Sequence, residues 1–193
     1  MELQIKSKDE VNLRFELNGV SYSFANMLRR TLMRDIPIYA IDSIVVYENT
    51  TELIDEYIAN RLGEVPLITP LHADSKPREI VLTLDATVSG QQFLYSRDLS
   101  TNDSVVRVAL ENIPLFIASE GKALRLEAKA RVGYGRQHAK FQACSCAYEQ
   151  KSNNSFSFLI EGFYQKKPQD ILKEGLEIIS KKTENYLEML DKL

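Results

Sequence analysis

NTTELIDEYIANRLGEVPL, residues 49–67, is the stretch on which the reading of this chain turns. Thr50 or Thr51 is placed to cap a helix. Leu53, Ile54, Tyr57, Ile58 and Leu62 then recur at helical spacing as an apolar stripe. Arg61 falls near the end of that helix, Gly63 suits the position just past it, and Pro66 marks the exit. The local expectation is a short amphipathic helix, a turn and a strand.

On its N-terminal side, residues 2–6 and 11–17 alternate apolar and polar with period two, and residues 7–10 between them read as a hairpin turn. Asn18 and Gly19 break the second strand. Ser21 or Ser23 can cap a helix that runs to about Arg34 with Phe24, Leu28 and Leu32 on one face, and Pro37 ends it. From Ile36 to Tyr47 an apolar, β-branched run predicts a buried strand.

On its C-terminal side no long helix is expected before Asn154. Residues 79–88, 92–97, 104–110, 122–132 and 138–149 read as extended segments between polar turns. A strand from Phe156 to Gly162 leads into a helix that begins at Pro168 and continues to the end. Both ends thus supply strands and a helix while the middle is strand-rich. This predicts an α+β chain: a split two-layer domain of strands plus two helices, interrupted by a mainly β insert.

The last helix carries its own message. Leu172, Leu176, Ile179, Thr183, Tyr186 and Leu190 are spaced four, three, four, three, four, the seam of a helix that packs lengthwise on another helix. Ile171, Ile178, Leu187 and Met189 widen the apolar surface beyond the seam. The rod would be roughly 37 Å long at about 1.5 Å per residue, longer than a four-stranded sheet is wide. Packing on a partner chain is therefore favoured over simple coverage of its own sheet.

Composition narrows the function. A net charge of −3 over 193 residues lacks the basic excess of a phosphate-binding surface, so any link to nucleic acid is expected to run through a partner. No apolar run is long enough to span a membrane and the start of the chain has no secretory pattern. With only two cysteines, one residue apart, reduced thiols and a cytoplasmic location are expected.

No catalytic constellation is expected in this chain. His138, Cys144 and Cys146, with His72, are too irregularly spaced for a zinc site, and two cysteines on one face of a buried strand is the simpler reading. Asp55 and Glu56 diverge by about 100° on a helix and cannot share a proton. Gly133-Tyr134-Gly135 is too short for a phosphate cradle. Asn26, Arg30 and Arg34 form an i, i+4 ladder, readable as a solvated basic face or as a docking face for an acidic or carbonyl-rich surface. Two rival readings use these residues: an enzyme built on His138 with Cys144 or Cys146, and a nucleic-acid module built on Arg29, Arg30 and Arg34.

Three segments together resemble a known family. Residues 23–32, SFANMLRRTL, followed by Ile36-Pro37 and Ala40-Ile41, are similar to the first-helix signature of the alpha-type RNA polymerase subunits. Glu48, Asn49, Thr50, Asp55, Glu56, Ala59, Arg61, Leu62, Gly63, Pro66 and Leu67 match the archaeal and eukaryotic branch, with Asn60 where histidine is usual. Residues 133–142, GYGRQHAKFQ, resemble its Gly-x-Gly-x-x-His-Ala-Lys-Trp segment, with Phe141 in place of tryptophan and Ala143 where proline is common.

The resemblance implies a discontinuous dimerisation domain of residues 1–48 and 155–193, and an insert domain of 49–154. It implies a non-catalytic assembly subunit of DNA-dependent RNA polymerase that pairs with a small L subunit through the C-terminal helix. The pair would form the platform for the second-largest subunit, beside two small zinc-bearing subunits, with DNA reached only through the complex. Asn26, Arg29, Arg30, Arg61, His138, Ala139 and Lys140 would then be candidate contacts to other subunits. Some members carry a cysteine-rich iron–sulfur module; with two cysteines, neither a cluster nor zinc is expected in this chain.

Overall fold

The computed structural model describes residues 2–192. In chain order its elements are β1 (Glu2–Lys8), β2 (Asn12–Asn18), α1 (Tyr22–Arg34), β3 (Pro37–Asn49), α2 (Asp55–Gly63), β4 (Ile80–Thr87) and β5 (Gln92–Tyr95). There follow β6 (Ser100–Thr101), β7 (Pro114–Ala118), β8 (Ala123–Tyr134), β9 (Cys144–Ser152), β10 (Ser155–Gly162) and α3 (Pro168–Leu190). Two compact units emerge: residues up to Pro37 together with those from Tyr134 onward, and Ile38–Gly133.

The first unit is a sheet of order β1-β2-β10-β9 with α1 and α3 on one face. Antiparallel register sets Phe158 opposite both Phe15 and Tyr148, and Ile160 opposite Cys146. Period-two alternation therefore sends Leu13, Phe15, Leu17, Phe156, Phe158 and Ile160 to the helical face, where all are buried. Phe15 and Phe158 stack with ring centroids 4.9 Å apart. α1 opens where Ser21 accepts a hydrogen bond from the Phe24 N–H (3.2 Å), and it buries Ala25, Leu28, Thr31 and Leu32.

The second unit is a sheet of order β3-β8-β4-β6, a β5-β7 ribbon and α2. Ile80 and Leu82 of β4 lie opposite Ala130 and Ala128 of β8, pairing large with small across the ladder, and Leu84 lies opposite Leu126. Their common face joins Tyr39, Ile41, Ile58 and Leu62 in one core.

Several expectations need correction. The units divide at 37/38 and 133/134, not at 48/49 and 154/155. β9 is a strand of the first sheet because it pairs with β10 along its whole length, while β3 neighbours β8. β3 is buried on both faces only as far as Ile41 and is then partly solvated. α2 starts at Asp55 without a threonine cap; Asn49 instead organises the preceding loop. Its Oδ1 accepts from the Thr51 N–H (3.0 Å) and hydroxyl (2.6 Å), and its amide donates to the Leu53 carbonyl (2.9 Å). Of the expected α2 stripe, Ile58 and Leu62 are buried while Ile54 and Tyr57 are exposed.

Residues 104–110 form no strand beyond a bridge from Val108 to Leu67, because Asp103 Oδ1 takes the N–H groups of Val105 and Val106 and turns the chain. The segment 138–149 is extended only from Cys144, since Ala139–Phe141 forms a 3-10 turn.

Candidate partner interface

α3 begins with Pro168 in its first turn, and its first half is inside the molecule. Ile171 and Leu172 are buried on the first unit, as are Glu174 and Gly175. A Cβ on Gly175 would sit 2.5 Å from the Leu32 Cδ2 atom, so glycine is what lets α3 approach α1 this closely. Leu176 and Ile179 are half-buried. From Ser180 onward every described residue is exposed, including Tyr186 (67%), Leu187 (57%), Met189 (62%) and Leu190 (63%). The six-residue seam is therefore divided: Leu172 belongs to the core of its own unit, Leu176 and Ile179 lie at the margin, and Thr183, Tyr186 and Leu190 face outward. Thr183 donates to the Ile179 carbonyl (3.0 Å), a bond within the helix.

More apolar surface is open on the same unit. Leu3 lies opposite Leu17 and Ile5 opposite Phe15, so both share the helical face of the sheet. They remain 42% and 52% exposed because neither helix covers the edge strand.

The ladder of Asn26, Arg30 and Arg34 lines a groove of about 500 Å3, completed by Tyr22, Asp35, Arg136 and Lys182 among others. Asp35 is the C-cap of α1 and is shared by two cations: Arg136 Nη1 at 3.1 Å and Lys182 Nζ at 2.6 Å. Among the described residues nothing pairs with Arg30 or Arg34, so the groove is left electropositive. Arg29 is used differently, donating to Asn26 Oδ1 (3.2 Å) and to Met33 Sδ (3.5 Å) within α1.

The segment from Gly133 onward acquires a structural explanation. A Cβ on Gly135 would lie 2.2 Å from the Met33 carbonyl oxygen, and the Arg136 N–H donates to the Arg34 carbonyl (3.2 Å). The motif thus fastens the returning chain against the C-terminal end of α1. Exposed His138 accepts the Lys140 N–H at Nδ1 (3.1 Å), capping the 3-10 turn, and Lys140 Nζ stands 5.3 Å from the ring of buried Phe141. Arg61 lies in the second unit, where its guanidinium donates to the carbonyls of Leu115 (3.1 Å) and Pro114 (2.6 Å) and ties α2 to β7.

Cys144 and Cys146 are free and buried side by side on the helical face of β9. Burial pushes the Cys144 thiol far up and holds Cys146 at about 12, the latter against the opposing pull of the Arg29 charge. Cys144 donates to the Leu32 carbonyl at 3.6 Å. Thiols kept protonated in this way pack as small apolar groups. Among the described residues no three His, Cys, Asp or Glu side chains gather as a metal site, and no helix is long and apolar enough to cross a membrane.

Sequence reasoning missed Asp35, Arg136 and Lys182 as groove residues, since they come from three separated segments. The one available signal was an acidic residue directly after the first predicted helix.

A family model for the RNA polymerase Rpb3/Rpb11 dimerisation domain matches residues 14–183. The chain is 33% identical over 171 residues to DNA-directed RNA polymerase subunit Rpo3 of Methanocaldococcus jannaschii, covering 88% of this chain and 85% of that one. It is 39% identical over 146 residues to Rpo3 of Pyrococcus furiosus, with coverage of 74% and 56%. With Rpo3 of Natronomonas pharaonis it shares 43% identity over 141 residues, with coverage of 73% and 56%. It thus spans most of the first relative and little more than half of the other two. With that match running from β2 into α3, the chain belongs to the RNA polymerase Rpb3/Rpb11 dimerisation-domain family.

Proposed function

We propose that this chain is a non-catalytic assembly subunit of a DNA-dependent RNA polymerase, working in the cytoplasm as one half of a heterodimer with a small L-type subunit. The observation that carries this reading is the distal half of α3, a helix with Tyr186, Leu187, Met189 and Leu190 all more than half exposed. An apolar cluster of this kind on a regular helix marks a surface that another chain covers.

Magnitudes refine the picture. Burying four such side chains contributes about 6–12 kcal/mol at roughly 1.5–3 kcal/mol each. Association itself costs about 4–15 kcal/mol, so the distal helix alone gives a marginal complex. Leu3 and Ile5 supply further apolar area on the same unit, and the interface proposed here includes them. The unit containing both ends of the chain is then the dimerisation domain, and Ile38–Gly133 is the insert.

The groove of Arg30 and Arg34 suits a second contact, to an acidic or carbonyl-rich surface of the second-largest subunit. Two unpaired guanidiniums beside Asn26 can make several hydrogen bonds there. Small zinc-bearing subunits would join the same platform, and DNA would be reached only through the complex.

Co-expression with the small subunit followed by gel filtration tests the reading. The pair should elute as a stable 1:1 complex, while the chain alone self-associates or is poorly soluble. A monomer indifferent to the small subunit would sink the proposal.

A further inference from the structure

At the root of α3 lies an ion pair that the interface does not touch. Lys166 Nζ and Glu174 Oε2 are 2.5 Å apart, and both side chains are only 2% exposed. Withdrawing two charges from water is so unfavourable that apolar side chains of similar volume often hold a fold equally well. What such a pair offers in return is directional: its hydrogen bonds are satisfied in one arrangement and not in slid or rotated ones.

Its placement suits that role. On the Lys166 side the chain is fastened to the sheet, with the Gly162 N–H donating to the Val11 carbonyl (2.7 Å) and the Phe163 N–H to that of Ala143 (3.2 Å). Tyr164 follows at φ 68°, a left-handed conformation rare outside glycine that sharply redirects the chain. On the other side Glu174 immediately precedes Gly175, where α3 presses on Leu32. Past these two points burial falls away, and the distal half touches the rest of its unit through the Lys182–Asp35 pair.

We infer that Lys166 and Glu174 are positioning residues: their pair fixes the direction in which α3 leaves the unit, so that its exposed half is held in one orientation before a partner arrives. The consequence for binding rests on the partner-docking reading above; the geometric claim does not. Pre-setting the rod removes an ordering cost from association.

The test uses the full chain with nitroxide labels at Arg14→Cys, on the outer face of β2, and Glu188→Cys, on distal α3. The two native thiols are buried and take no label. The wild-type background should give one narrow interspin distance distribution. In K166M/E174L the protein should still unfold cooperatively, while the distribution broadens and affinity for the small subunit drops about tenfold. K166M/E174Q carries the same readout if the first pair does not fold. A distribution as narrow as wild type overturns the positioning role, whatever happens to affinity. Broadening with unchanged affinity sustains that role and removes the docking reading of distal α3.

Discussion

Asp103 shows how much a single carboxylate arranges in this molecule. It turns an apparently strand-forming segment away from the sheet. The Val106 N–H, seconded by that of Val105 and by Arg78 at 2.6 Å, holds its carboxyl below the usual range against the opposing effect of burial. A depressed carboxylate contributes stability that is present above its unfolded value of about 3.9 and is lost as pH falls through the lower folded value. The melting temperature of wild type should therefore exceed that of D103N near pH 6, and the gap should close as pH falls below about 4. A gap independent of pH would mean that shape, not charge, is what position 103 supplies. Gly135 is a second case: the sequence displays the glycine, and only the Met33 carbonyl at its back explains it.

At the scale of the element, α3 is two helices in one. Leu172 is 6% exposed and Leu190 is 63% exposed, although both fall on the same seam. L172A should cost about 2–5 kcal/mol of stability in chemical denaturation, as a truncation in a packed core does. L187E should change stability by less than about 0.5 kcal/mol, being on the surface. In a pull-down with the small subunit the order should reverse, with L187E abolishing capture and a residually folded L172A retaining it. The pattern of the helix was legible from its spacing, and so were the helix itself and its start at Pro168. Which half faced inward was not legible, because a heptad seam records only that something packs there. Similar ambiguity affected α2, where Ile54 and Tyr57 extend the stripe yet lie in solvent.

Over the whole molecule the balance of charge is slightly acidic, at −3, while Arg30 and Arg34 share one groove beside α1 with Arg136 and Lys182. That arrangement suits a protein surface better than a phosphate backbone, which asks for many dispersed contacts. The purified chain should bind duplex DNA too weakly to detect at about 150 mM salt, where its Debye length is about 8 Å. Tight binding with a steep salt slope in a filter or anisotropy assay would restore the nucleic-acid reading. Domain organisation was half visible from sequence. That both ends build one unit followed from their matching strand-and-helix content. The boundaries were displaced because β9 reads as one more strand of a strand-rich middle. Nothing local in Cys144–Ser152 says that its ladder partner is β10.

By itself the sequence determined much of the periodic pattern: the three helices, most of the strands and, through three ordered motifs, the family. These are properties of neighbours along the chain, written in spacing and in turn chemistry. Tertiary structure alone decided which strands share a sheet and that Arg61 meets the carbonyls of Pro114 and Leu115. It also decided that Asp35, Arg136 and Lys182 meet, and that a lysine and a glutamate are buried together beneath α3. Such outcomes depend on contacts between residues far apart in sequence, whose geometry exists only once the chain has closed on itself.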